Sequence, residues 1–175
     1  MEELYFRKPD LSMKALTMEY KNEHFNNGEK ELHGSALLDS LEYEDWFELT
    51  EENSKEETVH ENWVVSDTYF VVRKPDSRII GMVDIRHYLN GFLAQVGGHI
   101  GYGVRPSERK KGYGTEILRM ALDHAKGLGL HRVMLGCFKD NKPSSKTILS
   151  CGGKKEREFS YQDGKIVEIY WIDIS

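Results

Sequence analysis

Two periods of hydrophobic and polar positions run along the chain, and the places where one gives way to the other mark its elements. A short apolar segment, Leu4 to Phe6, reads as a strand. Pro9 and Asp10 then resemble a helix start, and helical spacing continues from Leu11 to about Phe25, where Asn26, Asn27 and Gly28 stop it. Leu38, Leu41, Trp46 and Leu49 recur at near-helical spacing and predict a second helix over roughly Leu37 to Leu49, with carboxylates on its other face. From there the pattern becomes β-branched and aromatic. The stretches DTYFVVRK and RIIGMVDIRHY, separated by PDS, predict an antiparallel hairpin with Pro75 and Asp76 in its turn.

Asn90 and Gly91 interrupt that pattern, and Phe92 to Ala94 fit neither period. GGHIGYGV resumes as a glycine-rich strand that ends at Arg105 and Pro106. A helix from about Tyr113 to Lys126 follows, with Ile117, Leu118, Ala121, Leu122 and Ala125 on one face and Gly127 as its stop. HRVMLGCF has the apolar character of a strand covered on both faces. A helix from about Pro143 to Ser150 and two strands joined at Asp163 and Gly164 complete the chain. The order predicts a mixed α/β layer fold, and no repeat or linker divides it, so one domain is expected over 1–175.

Composition agrees with a single packed domain: 175 residues are 39% hydrophobic and 11% aromatic. Lys plus Arg number 24 against 29 Asp plus Glu, a formal charge of −5, which argues against nucleic acid or an anionic membrane as a general partner. No run approaches the roughly 20 apolar residues of a membrane span. The start, MEELYFRKPD, lacks a secretory pattern, so a cytoplasmic location is expected. Cys137 and Cys151 have neither CxxC spacing nor a clustered histidine; free thiols and no metal site are expected.

The basic cluster stands out against this acidic background. Arg109, Lys110 and Lys111 precede Gly112, Tyr113 and Gly114, where a strand, a loop and a helix meet. The first turn of a helix has unpaired N–H groups and the positive end of its dipole, so it can hold an anion, and glycine lets the main chain approach closely. The spacing excludes GxxxxGK[ST] and GxGxxG. On these six residues alone, the glycines equally suit a tight turn with solvated cations around it. A second element, DNKPSSKTILSCGG, lies one apolar strand downstream, with Asn141 before a proline-initiated helix and Gly152 after it.

Together these residues resemble the GNAT superfamily of N-acetyltransferases, with IRHYLNGFLAQVGGHIGYGVRPSERKKGYG similar to a branch of largely uncharacterised bacterial members. The family's phosphate-binding pattern is met by Arg109, Gly112 and Gly114, and its following motif by Asn141, Ser144 and Gly152, within a similarity spanning about 79–153. The resemblance implies a mixed sheet of about six to seven strands with about four flanking helices, splayed to admit coenzyme A. It implies main-chain contacts from Val104 to pantetheine, amides of Lys110, Lys111, Gly112, Tyr113, Gly114 and Thr115 on the pyrophosphate, and coenzyme contacts from Asn141 and Ser144. Acetyl-coenzyme A would be the co-substrate, and a small-molecule or peptide amine the acceptor; a homodimer is a possible assembly. A non-catalytic acyl-coenzyme A-binding module on the same fold is the alternative.

Acetyl transfer needs an unprotonated amine, and stripping a proton from an ammonium of pKa about 10.4 costs roughly 4–5 kcal/mol at neutral pH. His99, on the strand that would flank the acetyl group, is the expected general base, with a hydrogen-bonded core histidine as its other reading. His87, Asn90 and Tyr102 are the expected substrate-cleft residues, with core packing the other reading of Tyr102. The family's thiolate-protonating tyrosine falls at Ile148 here, which leaves water, Tyr161, Tyr170 or direct thiol release for that step.

Overall fold

The computed structural model describes residues 1–175. Seven strands and four α-helices follow in the order β1 (Leu4–Arg7), α1 (Lys14–Asn26), α2 (Tyr43–Glu52), β2 (Ser66–Arg73), β3 (Arg78–Arg86), β4 (Ile100–Val104), α3 (Tyr113–Gly127), β5 (Arg132–Phe138), α4 (Lys142–Ser150), β6 (Lys154–Ser160) and β7 (Ile166–Asp173). The strands form two antiparallel sheets, β1-β2-β3-β4 and β5-β7-β6. These are joined by a single bridge between Gly98 and Leu135. Beyond that bridge β4 and β5 diverge, so the expected splay is present, with its closed end at Gly98 and its mouth at Val104.

α3 and α4 cover one face of the joined sheets. Ile117, Leu118, Ala121 and Ala125 are fully buried against Val71, Val83, Val133 and Leu135, and Ile148 of α4 joins them. Burying each large aliphatic side chain is worth about 1.5–3 kcal/mol, enough for the single apolar stripe of α3 to fix it in place. On the opposite face Met13, Tyr20, Leu38, Tyr43 and Trp46 pack on Phe70, Val72, Ile79 and Met82.

The helix expected over Leu37 to Leu49 begins later, at Tyr43. Ala36 and Leu37 have φ of 52° and 72°, which a right-handed helix excludes. Leu38 is nonetheless fully buried. Its apolar character serves the core from a turn, which is why spacing alone extended the helix too far. Gly34, on the same connection, lies so close to β4 that a Cβ there would sit 2.6 Å from the Tyr102 Cα. The α1–α2 connection is thereby clamped onto the sheet beside the splay.

α1 is held by ions as much as by apolar contact. The Arg105 guanidinium, 3% exposed, bonds Glu19 and Glu23 and donates to the Ile79 carbonyl. Burial alone would raise the Glu23 pKa, but Ser107 and Arg105 outweigh it and bring it to about 2. Glu29 is likewise brought to about 2, its burial outweighed by Arg109, Asn27 and His24. Burial keeps His24 below its ordinary value of 6.5, and burial together with Arg86 lowers His99 to about 4.

All four depressed folded-state pKa values make the unfolded chain the better proton acceptor, so stability falls as pH falls. The first loss is expected below about pH 6.5, from the histidines, and a steeper one from about 4.5 towards 2, from the glutamates. Thermal unfolding followed from pH 7.5 to 3.5 checks this; a midpoint that stays flat down to pH 4.5 contradicts it.

Candidate functional site

The divergence of β4 from β5 opens a cleft of about 670 Å³. One wall is β4 from Ile100 to Val104, and the other is Leu135 to Phe138 of β5. The N-terminus of α3 closes one end, and Arg86, Val96 and Gly97 close the other. Of the residues expected to hold the coenzyme, Val104, Arg109, Lys110, Gly112, Tyr113, Gly114, Thr115, Asn141 and Ser144 all line this cleft.

At the α3 end, Gly112 occupies the N-cap with φ 87°, and no side chain caps the helix. Its first-turn N–H groups therefore point into the cleft without a side-chain acceptor, which is the arrangement that binds an anion. Gly114 plays a different part. A Cβ there would lie 3.7 Å from the Val104 side chain, an ordinary contact, so alanine is sterically acceptable.

The cations around this turn are mostly paired within the protein itself. Arg109 forms a bidentate pair with Glu29, and its Nε donates to the Val104 carbonyl at 3.0 Å. Lys111 pairs with Glu108, Arg105 is tied to α1, and Lys111 does not line the cleft. Lys110 alone of the four lines the cleft without a carboxylate partner. The anion-binding character of this end thus comes chiefly from oriented amides. Asn141 caps α4 by accepting from the Ser144 N–H at 3.3 Å while also facing the cleft.

Three of the residues expected at the acetyl and acceptor end do not line the cleft. His99 accepts a hydrogen bond at Nδ1 from the Met134 N–H, 2.9 Å away, and its backbone N–H donates to the Met134 carbonyl. The neutral ring therefore carries its proton on Nε2 and has no free lone pair for an incoming one. With its pKa at about 4 and only 6% exposure, it is suited to pinning β4 to β5 at the closed end rather than to taking a proton.

His87 lies outside the cleft. It shares the Asp67 carboxylate with His124 of α3, at 3.0 and 2.8 Å. Asn90 also lies outside: its carbonyl oxygen accepts from the Leu93 N–H, and its amide donates to the Asn62 carbonyl, capping the helical turn at Leu93–Gly97 that neither sequence period described. No group of three or more His, Cys, Asp or Glu side chains is arranged to hold a metal ion.

Tyr102 does line the cleft. Its hydroxyl lies 3.3 Å from the Ser144 hydroxyl, and burial raises its pKa above the ordinary phenol value. Ile148 is 1% exposed in the core and offers no polar atom. Tyr170 is 3% exposed with its hydroxyl on Glu168, and neither it nor Tyr161 lines the cleft.

Two cleft residues were not foreseen. His33, exposed on the α1–α2 connection, lines the cleft, and its carbonyl oxygen lies 2.7 Å from where a Gly103 Cβ would be. Arg86 lines the closed end, with its guanidinium beside Gly97, Gly98 and Gly101. Both reach the site through tertiary packing, one from an irregular connection and one from the end of a strand, so no local spacing announces them.

Residues 36–152 match the model of the acetyltransferase (GNAT) family. Among solved structures, the chain is similar to the microcin C7 self-immunity acetyltransferase MccE in complex with acetyl-coenzyme A and AMP, at 20% identity and TM-score 0.71, covering 99% of this chain and 93% of that one. It is similar also to an acetyltransferase of the same family from Bacillus anthracis, at 18% identity and TM-score 0.67, covering 99% and 97%. A chimera of the spermidine N-acetyltransferase SpeG from Vibrio cholerae with hSSAT matches at 18% identity and TM-score 0.69, covering 98% and 95%. No curated protein sequence matches. At such identities these structures establish a shared fold. No helix is long and apolar enough to cross a membrane.

Proposed function

The chain belongs to the GNAT acetyltransferase family, and from that premise we propose that it moves an acetyl group from acetyl-coenzyme A to a primary amine of a small molecule or peptide by direct attack in a ternary complex. The observation that carries this reading is the uncapped N-terminus of α3 opening into the cleft between β4 and β5. The amides of Tyr113, Gly114 and Thr115, with Lys110 beside them, would take the diphosphate. The free edge of β4 would meet the pantetheine arm as a strand meets its neighbour. Asn141 and Ser144 border the same path.

The chemistry assigns two further groups. The amine must lose a proton as its nitrogen attacks the thioester carbon, and imidazole is the side chain suited to that transfer near neutrality. Among residues that line the cleft, His33 has the only imidazole. As the C–S bond breaks, its electron pair goes to sulfur, which then needs a proton or a strong donor. The Tyr102 phenol, kept protonated by burial and set beside the Ser144 hydroxyl in the cleft lining, is the donor we assign to it. It would serve the step that the family pattern gives to a tyrosine where this chain has Ile148.

A panel of primary amines assayed for coenzyme A thiol release tests the reading. Turnover with at least one acceptor is expected. Coenzyme binding with no turnover across amino acids, polyamines, aminoglycosides and peptide N-termini would contradict it. His33→Gln is expected to lower kcat by about 10²-fold or more while coenzyme affinity stays unchanged; an unchanged kcat removes His33 from the reaction.

A further inference from the structure

The closed end of the cleft contains a buried ionic device that acetyl transfer alone does not require. On β3, Thr68 of the neighbouring strand donates its hydroxyl to Asp84 Oδ1 at 2.9 Å, and Asp84 Oδ2 pairs with Arg86 Nε at 2.9 Å. Arg86 Nη1 donates to the carbonyls of Gly97 and Gly98 at 3.3 Å each. Every contact holds the guanidinium in one orientation. Nη2 has no partner in the protein, and it lies over Gly101, where a Cβ would come within 3.4 Å of it. The side chain is 22% exposed, and that exposure faces the cleft.

Asp84 is 5% exposed and Thr68 6%. A buried ion pair of this kind gives little net stability compared with apolar residues of the same volume. Its structural yield is modest, whereas a fixed, half-desolvated guanidinium with a free N–H edge is a strong receptor for a planar or tetrahedral anion. The carboxylates around it do not offset that. Asp84 is turned to Nε and Thr68, and the two acidic residues that line the cleft are held elsewhere, Glu29 bidentately by Arg109 and Glu108 by Arg73, Arg78 and Lys111. A polycation entering here would find no free carboxylate.

We propose that the acceptor is a small primary amine that also carries a carboxylate or phosphonate, and that Arg86 binds this anion through Nη2 and so sets acceptor specificity. The proposal rests on the function inferred above and names the class of its substrate. It sets this chain apart from the spermidine acetyltransferases whose fold it shares.

Binding separates this idea from turnover. N-acetylglycine, N-acetylalanine, N-acetylmethionine and N-acetylaminomethylphosphonate would each be titrated into the protein saturated with coenzyme A, against the matching neutral amides or, for the phosphonate, its diester. At least one anionic member is expected to bind about ten- to a hundredfold more tightly than its neutral partner. Arg86→Met should erase that preference with acetyl-coenzyme A affinity unchanged. Because Arg86→Met alone strands Asp84, the double variant Asp84→Asn/Arg86→Met keeps the comparison available if the single variant does not fold.

Equal binding of acids and neutral partners, no binding of any of them, or a preference that survives loss of Arg86 overturns the proposal. So does a kcat/KM for spermidine above that for every amino acid tried. An anion preference without turnover of any amine leaves Arg86 in its role and counts against the acetyl-transfer reading instead.

Discussion

Gly112→Asp is expected to weaken acetyl-coenzyme A binding by roughly a hundredfold or more while leaving the chain folded. Gly112 caps α3 with φ 87°, in the left-handed region that aspartate enters at a cost of about 1–2 kcal/mol. A Cβ there would approach only the end of the flexible Met1 side chain, at 2.9 Å. A carboxylate at the positive end of the helix gains about 0.3–1 kcal/mol. That partly offsets the strain, so only a small fall in Tm is expected. The N–H groups of that first turn are the ones proposed to hold the diphosphate. The variant sets a negative charge beside the incoming phosphates, cancelling the dipole's contribution of up to ~2 kcal/mol and adding repulsion. Titration calorimetry with a parallel melting curve reads both quantities. A folded variant with unchanged affinity would place the coenzyme elsewhere. Gly112→Ala, which keeps the strain without the charge, is expected to lose far less.

Tyr102→Phe is expected to lower kcat by about 10²-fold, with the KM for acetyl-coenzyme A changed by less than threefold. The ring, which packs against the core beneath α3 and α4, is retained. What goes is the hydroxyl near Ser144 and with it the donor proposed for the leaving sulfur. Because burial raises the Tyr102 pKa, the wild-type rate should not fall off from its ionisation until the pH exceeds the ordinary phenol value of about 10. Stopped or steady-state thiol release between pH 6 and 9.5 separates the two enzymes. If the phenylalanine variant keeps the wild-type kcat, water or direct thiol release carries the step.

The elements that form the coenzyme end were legible in the sequence because each has a local cause. The α3 stripe, the N-cap glycine, the Asn141 cap and the β2–β3 hairpin all follow from spacing or turn chemistry within a dozen residues. The acceptor end was not legible, for the opposite reason. His33 reaches the cleft because Gly34 lets an irregular connection press onto β4, and Arg86 because its guanidinium spans β4 to carbonyls at Gly97 and Gly98. His99 adjoins the start of β4, and its ring is engaged by the backbone of β5. Its partner, Met134, is 35 residues away, and only that contact turns a free imidazole into a structural acceptor. Arg105 and Arg109 are engaged in the same manner, since their carboxylate partners Glu19, Glu23 and Glu29 lie about eighty residues upstream.

The dependence of binding on the diphosphate itself tests the central claim most directly. Acetyl-coenzyme A and acetyl-pantetheine, which shares the thioester and pantetheine arm but has no diphosphate, would be titrated into the wild-type protein under the same conditions. One-to-one binding of acetyl-coenzyme A at least a hundredfold tighter than acetyl-pantetheine is the predicted result, and equal affinity for the two, or no heat with acetyl-coenzyme A, would contradict it.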